Sequence, residues 1–447
     1  MVSIDRFFGI SATGSSISKE VRAGVTTFLA MSYIIFVNPQ ILSQAIQFSG
    51  TDVNATAELL SATVMAAAFG SIFMGIFSKY PIAVAPGMGL NAYFVFAVVL
   101  GSGATWQTAL GAVFVSGIVF LMLSLTGFRE AVINAIPLTI KRSIATGIGL
   151  FLAMIGMTSS GLIVSKESTV VGLGNLNSAS VSMMLFGLLM TIVLTIRKIP
   201  GALLISMLGV SSICIVFKLP VYNGKVFEGD VSHIISSPVW PGNLIGSLDL
   251  NGALSWSMSG VVLTFLFVAF FDTAGTLIGL SEKAKFVDSE GRIARSGRVF
   301  IADAFSIVVG AFLGTSTTTA YVESAAGIEE GGKTGFVAVV VGLLFLLSLF
   351  FWPLASMIPS AATAPALILL GAMMMESVSK IAWDDFSESI PAFLTIVSIP
   401  LTWSISTGIA FGVISYVLIR LMTKRYKELN PVMLGLVIIL GVKIIWS

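Results

Sequence analysis

Charge is what this sequence has least of. Only 10% of its 447 residues are Asp, Glu, Lys or Arg, where a soluble globular chain carries about 25%. So few charges cannot cover a globule of this length at the usual density of about 25–35% of surface positions, which excludes a soluble protein with a large core. There is one cysteine, Cys214, inside an apolar run. No disulfide framework and no cysteine metal cluster can be built from it. The single histidine, His233, lies in a hydrophilic stretch, so a proton relay inside an apolar body has to be a carboxylate. No HExxH, CxxC or P-loop pattern is found, and an enzyme reading has little support. The net charge of +2 comes without a basic patch interleaved with aromatics, so nucleic acid is not an expected partner. The first twenty-odd residues lack the apolar core and small-residue site of a signal peptide, and the first spanning segment is expected to target the chain.

Apolar residues are what the sequence has in excess. They make up 56% of it, and the mean hydropathy is +1.00. This predicts an all-α polytopic membrane protein in a lipid bilayer, since a spanning helix needs about 20 mostly apolar residues. Candidate spans lie near 24–46, 57–78, 107–126, 142–163, 181–196, 201–217, 256–280, 298–313, 334–352, 360–376, 387–400 and 403–421. Two further segments, 83–99 and 315–329, are too short or too polar for ordinary spans. Counting both predicts fourteen transmembrane segments, and a last apolar stretch, 431–446, is read as interfacial or re-entrant.

The basic residues test that count. With a cytoplasmic N-terminus, loops after even-numbered spans should hold Lys and Arg. They hold Lys79, Arg129, Lys141, Arg142, Arg197, Lys198, Lys283, Lys285, Arg292, Arg295, Arg298, Lys333, Lys380 and the Arg420–Lys427 cluster, while the opposite side has only Lys166, Lys218 and Lys225. Both termini are therefore expected on the cytoplasmic side of the cell membrane. The hydrophilic stretch 218–255, rich in Pro, Gly and Asn, is expected outside, and it divides the chain into two halves.

The halves look alike. Asn91-Ala92-Tyr93 resembles Thr319-Ala320-Tyr321, and Ile-Pro pairs at 136–137, 199–200, 358–359 and 399–400 recur in the same order. A repeat of seven spans starts its second copy on the opposite face of the membrane. Two inverted repeats with paired broken helices are the signature of a secondary transporter.

Backbone in hydrocarbon must satisfy its own hydrogen bonds. In APGMGLNAYF, Gly87 and Gly89 follow Pro86, which predicts an extended piece that becomes helix at Asn91. Gly314 and Thr317–Thr319 predict the same in the second copy. Segments 3 and 10 are thus expected to contain short strand-like pieces that pair with each other and feed half-helices. Glu323 is placed within the first turns of the second half-helix. An ionisable group at membrane depth is costly and marks a pathway, which singles out Glu323 and Asp272. Thr276 shares a helix face with Asp272 at i+4. Asn38-Pro39 in the matching first-half span predicts a kink there. Asp303 has two readings, a partner for Arg298 or a neighbour of the substrate route. Phe94 and Tyr321, just after the broken pieces, are the aromatics best placed to stack on a ligand. Glu329 and Glu330 read as a loop at the membrane face.

These stretches resemble the nucleobase–cation symporter-2 superfamily, the xanthine/uracil permeases, and within it the adenine, guanine and hypoxanthine permeases. The carriers are AGVTTFLAMSYIIFVNP at 23–39, APGMGLNAYF at 85–94, FFDTAGTLIG at 270–279, GTSTTTAYVESAAGIEEGGKTG at 314–335 and IPSAATAPALILLGAMM at 358–374. The resemblance implies a core domain of 1–127 (segments 1–4) and 256–352 (segments 8–11). It implies a gate domain of 128–217 (segments 5–7) and 353–423 (segments 12–14), with 218–255 as the external excursion and 424–447 as a tail. It implies a purine nucleobase bound by Asn91, Asp272 and Glu323, to which the residues themselves add Thr276, Thr318, Thr319, Phe94 and Tyr321. Glu323 and Asp272 are the proton-coupling candidates. The proton is preferred over sodium, no cofactor or metal is expected, and a homodimer is an expectation of the family alone. Related uracil permeases carry a histidine in the eighth span that is missing here, which speaks against pyrimidine transport of that style. The rival reading is an anion exchanger or ion channel of similar architecture, but neither 83–99 nor 315–329 holds a Lys or Arg.

Overall fold

The computed structural model describes the chain except at residues 1, 49–54, 127–136, 223, 230–233, 285, 287–292, 294, 430–432, 436, 438–440 and 442–447. His233, Arg129, Lys285, Arg292, Ile136 and most of the 431–446 stretch, all named above, lie outside the described residues.

The body is helical. Among the described residues nine helices are long and apolar enough to cross a membrane: Ile17–Leu42, Ala55–Ser78, Trp106–Leu125, Leu138–Ser159, Ala179–Ile196, Trp256–Ser281, Ser296–Leu313, Ser360–Lys380 and Ile405–Met422. At about 1.5 Å per residue, their 18 to 26 residues match a hydrocarbon core of about 30 Å. Four shorter apolar helices, Met88–Gly101, Ala202–Val216, Phe336–Phe351 and Phe386–Leu401, lie between them. The protein is an all-α polytopic membrane protein.

The first of these helices begins on a cap, with the Lys19 amide donating to Ser16 Oγ at 3.3 Å. It then breaks into Ile17–Met31 and Ile34–Leu42. The break is at Ser32–Tyr33 and not at Pro39, where a kink was expected; the ring and missing donor of Pro39 act on the Ile35 carbonyl four residues back, so they do not account for it. Pro39 itself continues the second piece. Beside it Asn38 Nδ2 donates to Thr63 Oγ1 at 2.7 Å and to Thr315 Oγ1 at 3.0 Å.

The helices pack in two sets. In one, Ala55–Ser78 lies against Phe336–Ser348 and Ser296–Leu313, and the latter against Trp106–Leu125. In the other, Leu138–Ser159 lies against Ser360–Met374 and Phe386–Leu401, with Ala179–Ile196, Ala202–Val216 and Ile405–Met422 around them. Glycines make the closest approaches in both. A Cβ on Gly371 would stand 2.4 Å from the Gly149 carbonyl, and one on Gly149 would stand 2.7 Å from the Gly371 carbonyl. Gly156 in turn faces the Ala364 carbonyl, so these two helices run antiparallel with their backbones in contact. They are the helices that Pro137 and Pro359 open. Between apolar helices in lipid, such small-residue seams supply the close packing that the hydrophobic effect does not.

The 218–255 excursion is tied down at several points. Glu58 accepts from the Asn243 amide at 3.0 Å and from Asn243 Nδ2 at 2.7 Å. Tyr222 donates to the Met357 carbonyl at 2.7 Å, and Trp352 Nε1 to the Ser237 carbonyl at 2.9 Å. At the opposite end Glu329 and Glu330, read as a membrane-face loop, pair with Lys283 at 2.9 Å and Arg22 at 3.3 Å.

Candidate functional site

Two three-residue strands sit inside the helical body. Val84–Pro86 pairs antiparallel with Thr318–Ala320, in the register Val84 to Ala320, Ala85 to Thr319 and Pro86 to Thr318. All six residues are buried. The pairing extends at both ends: the Gly87 amide donates to the Thr317 carbonyl at 2.8 Å and the Tyr321 amide to the Ala83 carbonyl at 2.9 Å. The outer edge of the first strand is closed by Ser71, whose hydroxyl gives to the Val84 carbonyl at 2.9 Å and takes from the Val84 amide at 3.0 Å. Ser324 Oγ accepts from the Ala83 amide at 3.0 Å. The extended pieces expected in the two odd segments thus pair with each other, each supplying the hydrogen bonds that the apolar surroundings cannot.

Each strand feeds a helix, but not where the sequence placed it. The first helix opens at Met88, three residues before Asn91, because Gly87 takes the extended N-cap position and its carbonyl already accepts from the Asn91 amide at 2.9 Å. It continues as a π-helix over Tyr93–Gly101, a wide turn frequent at functional sites. The second helix is Ser324–Glu329, with Glu323 at its N-cap rather than inside its first turns. The likeness of Asn91-Ala92-Tyr93 to Thr319-Ala320-Tyr321 does not carry into the structure either. Thr319-Ala320 is strand and Asn91-Ala92 is helix, so the counterpart of Thr319-Ala320 is the Val84–Pro86 strand.

Asp272 lies on the helix Ser259–Ala284 and is exposed. On the same face Thr276 is half-buried, and at Gly275 and Gly279 no atom lies within 4 Å of where a Cβ would be. This face of the helix is thus open beside Asp272 among the described residues. Asp272 interacts with the Thr319 hydroxyl on the strand pair and, at longer range, with Glu323 and Tyr321. Glu323 Oε1 accepts from the Tyr33 hydroxyl at 2.9 Å. Tyr33 is the residue at the break in the first helix, and its ring is buried. Three chain segments far apart in sequence therefore converge on two carboxylates.

Asp303 does not pair with Arg298, the first of its two readings. It is buried on Ser296–Leu313, while Arg298 is exposed. Its Oδ2 accepts from Thr273 Oγ1 at 2.5 Å, next to Asp272 in sequence. The Ala320 amide lies near this carboxyl, and Asp303 Oδ1 has no hydrogen-bond partner among the described residues.

The remaining sequence candidates divide. Side chains alternate across a strand. Thr319 faces Gly87 and Asp272, whereas the Thr318 methyl faces Gly310 of the Asp303 helix, and the Thr318 hydroxyl has no partner among the described residues. Tyr321 is buried and donates to the Pro86 carbonyl at 2.5 Å, stapling the two half-segments. Asn91 is fully buried, and among the described residues neither its Nδ2 nor its Oδ1 has a hydrogen-bond partner. Phe94 is fully buried in the π-helix. Tyr33 and Thr273 had no place in the sequence reading, because a tyrosine or threonine in an apolar run reads as packing. Among the described residues no group of three or more His, Cys, Asp or Glu side chains is placed to hold a metal ion.

A helical membrane body with two broken segments paired inside it, and the carboxylates Asp272 and Glu323 beside them, fits a transport protein of the permease class and not an enzyme. The family model of the xanthine/uracil permeases, described as the Permease family, matches residues 18–411, and the chain belongs to that family. It is similar to the guanine/hypoxanthine permease PbuG of Bacillus subtilis strain 168, 45% identical over 437 residues that cover 97% of this chain and 97% of that one. It is similar to the adenine permease AdeQ of Escherichia coli K12, 41% identical over 444 residues that cover 99% and 96%. Its fold is like that of the transmembrane domain of the cyanobacterial bicarbonate transporter BicA, with a TM-score of 0.64 at 14% identity over 89% of this chain and 97% of that one. At that identity the likeness concerns the fold alone.

Proposed function

We propose that this permease takes up purine nucleobases (adenine, guanine or hypoxanthine) by proton symport, with a core domain moving against a gate domain in alternating access. The relatives named as guanine/hypoxanthine and adenine permeases support the substrate class. The observation that carries the reading is Asn91. A fully buried carboxamide with both ends unpaired costs about 1–3 kcal/mol for each unmet group. Movement of the core against the gate would uncover it to a purine edge, which offers the adjacent donor and acceptor that satisfy it.

In this reading the base lies in the crevice beside the strand pair. Asp272 accepts from its ring or exocyclic N–H groups, Thr276 and Thr319 add hydroxyls, and Thr318, Phe94 and Tyr321 shape the wall behind them. A proton from outside binds Glu323, or Asp272 beside it. Protonation removes the penalty of carrying a bare carboxylate through a drier intermediate. Coupling follows when proton and base each bind the two facing states unequally. Sodium is less favoured as the coupling ion.

The nine long helices, the four shorter ones and the half-segment ending at Glu329 support fourteen crossings in two inverted repeats. The two packing sets support a core of 1–127 with 256–352 and a gate of 128–217 with 353–423. The charge bias supports cytoplasmic termini. In that orientation the open face at Gly275 and Gly279 lies between Asp272 and the cytoplasmic Lys283 end. On the outer side Trp403 packs edge-on to Phe96 at 5.3 Å and to Phe151 at 5.7 Å. In this reading, these two features support an inward-facing state.

The test is uptake of labelled adenine, guanine, hypoxanthine and uracil into proteoliposomes under an imposed inward proton gradient, without sodium. Accumulation of a purine that stops when the gradient is collapsed is the expected result. Folded protein that takes up no base, with or without sodium, would overturn the reading and favour the anion-exchanger or channel alternative.

A further inference from the structure

A recess of about 470 Å³ opens at the end of the molecule that carries the excursion. Its walls include Gln47, Phe48, Trp106, Gln107, Asn243 and Asp249. It is separate from the crevice: Asn91, Asp272 and Glu323 do not line it. Its volume is within the range of about 300–1,000 Å³ usual for small-molecule sites.

The floor of the recess is fixed. Asp249 Oδ1 accepts from the Gly252 amide at 2.9 Å, its Oδ2 from Thr108 Oγ1 at 2.7 Å, and its amide donates to the Gln107 carbonyl at 3.1 Å. These bonds, the Gly252 amide foremost, hold the Asp249 carboxyl below the usual aspartate range, so the floor stays anionic. Asn243 is pinned by Glu58 on the other side. The walls, by contrast, are uncommitted. Phe48 and Trp106 meet edge to face, with centroids 6.2 Å apart and planes at 89°, and so form an aromatic corner. Neither the Gln47 nor the Gln107 carboxamide has a hydrogen-bond partner among the described residues, and Gln47 is exposed.

An aromatic corner flanked by free carboxamides is the chemistry that holds a heterocyclic base. The rings stack on its face, and amides read its donor–acceptor edge. A negative floor repels anions, and a purely apolar ligand would leave the amides unpaired. We infer that this recess is a second, outward binding site for neutral purine-type heterocycles, which collects the base at the external face before it enters the crevice. This inference rests on the purine reading above.

The experiment is equilibrium binding of radiolabelled hypoxanthine and adenine to the full-length chain in nanodiscs, corrected against empty discs, with uptake measured in parallel. The wild-type isotherm is expected to be biphasic. Gln107→Ala and Gln47→Ala, both on side chains that hold nothing in place, should remove one phase and raise the apparent KM for uptake severalfold. Asp272→Asn should remove the other phase and leave the recess phase intact. A single phase that Asp272→Asn abolishes, in protein that transports, overturns the recess and leaves the transport reading standing. So does a biphasic isotherm that neither glutamine variant alters. Absence of both binding and uptake overturns the transport reading, and the recess with it.

Discussion

The Tyr33 hydroxyl donates to Glu323 Oε1 at 2.9 Å, joining residues 290 positions apart in the chain. Tyr33 stands where the first membrane helix breaks, and Glu323 where the last strand turns into helix. The bond therefore ties two irregular points of backbone to one another. Hydrogen bonds to a charged group contribute about 1.5–3 kcal/mol, which corresponds to about 10–100-fold in an equilibrium or rate. Tyr33→Phe keeps the buried ring and removes only the donor. Gradient-driven purine uptake by this variant should fall at least about tenfold, with the protein still eluting as a folded species. Uptake at the wild-type rate would show that Glu323 is positioned without Tyr33.

Glu323→Gln separates binding from coupling. Glutamine preserves the shape and can still accept from Tyr33, but it cannot carry the proton. Uptake against a gradient should be lost, with folding largely intact and any remaining exchange of labelled for unlabelled base insensitive to the proton gradient. Asp272→Asn should instead weaken base binding itself, because an amide replaces the acceptor that faces the crevice beside Thr319. Proton-coupled accumulation by Glu323→Gln at normal rates would remove this residue from the mechanism.

Much of this site was legible in the sequence, and the reason is chemical. A carboxylate in an apolar run has few inexpensive explanations, so Asp272 and Glu323 stood out. Glycine and threonine clusters between helices announced extended backbone, and Val84–Pro86 and Thr318–Ala320 do pair. Tertiary partners were not legible. Tyr33 and Thr273 become informative only once Glu323 and Asp303 are seen beside them. Strand register was also hidden: it sends Thr318 and Thr319 to opposite faces, where the sequence shows only a run of three threonines. The Asn91 and Thr319 motifs looked like counterparts because Ala-Tyr follows both, but local identity does not fix where a strand ends, and Gly87 ends the first one before Asn91.

Glycines separate packing from passage. A Cβ at Gly371 would meet the Gly149 carbonyl at 2.4 Å, with backbone on both sides that cannot swing away. Gly371→Ala should therefore cost about 1–3 kcal/mol, the range for overpacking, and lower the thermal midpoint in detergent. Gly275→Ala meets nothing within 4 Å and should leave that midpoint unchanged or slightly higher, since alanine favours helix by about 1 kcal/mol over glycine. Its effect should appear in transport, as a higher KM from a methyl group in the crevice beside Asp272. Equal thermal midpoints for the two variants would contradict the packing assigned to Gly149 and Gly371.

Asp249 gives the excursion a pH dependence of definite sign. Its carboxyl is held below the ordinary aspartate value, first by the Gly252 amide and then by the Thr108 hydroxyl. Asp249 caps the short helix Leu250–Ala253; a depressed folded pKa means that the unfolded form binds protons more readily, so acid favours release of this cap. The cap's contribution is complete above the unfolded value of about 3.9 and is lost as pH falls through the lower folded value. The side chain is only partly buried, so the effect is local, not global. Hydrogen exchange at the Gly252 amide, corrected for its intrinsic rate, should show constant protection from neutral pH to about 4 and declining protection below that. Asp249→Asn should abolish the decline, because the amide side chain accepts the same bond at every pH. Protection that falls already at pH 6, or that falls equally in the asparagine variant, would place the control of this segment elsewhere.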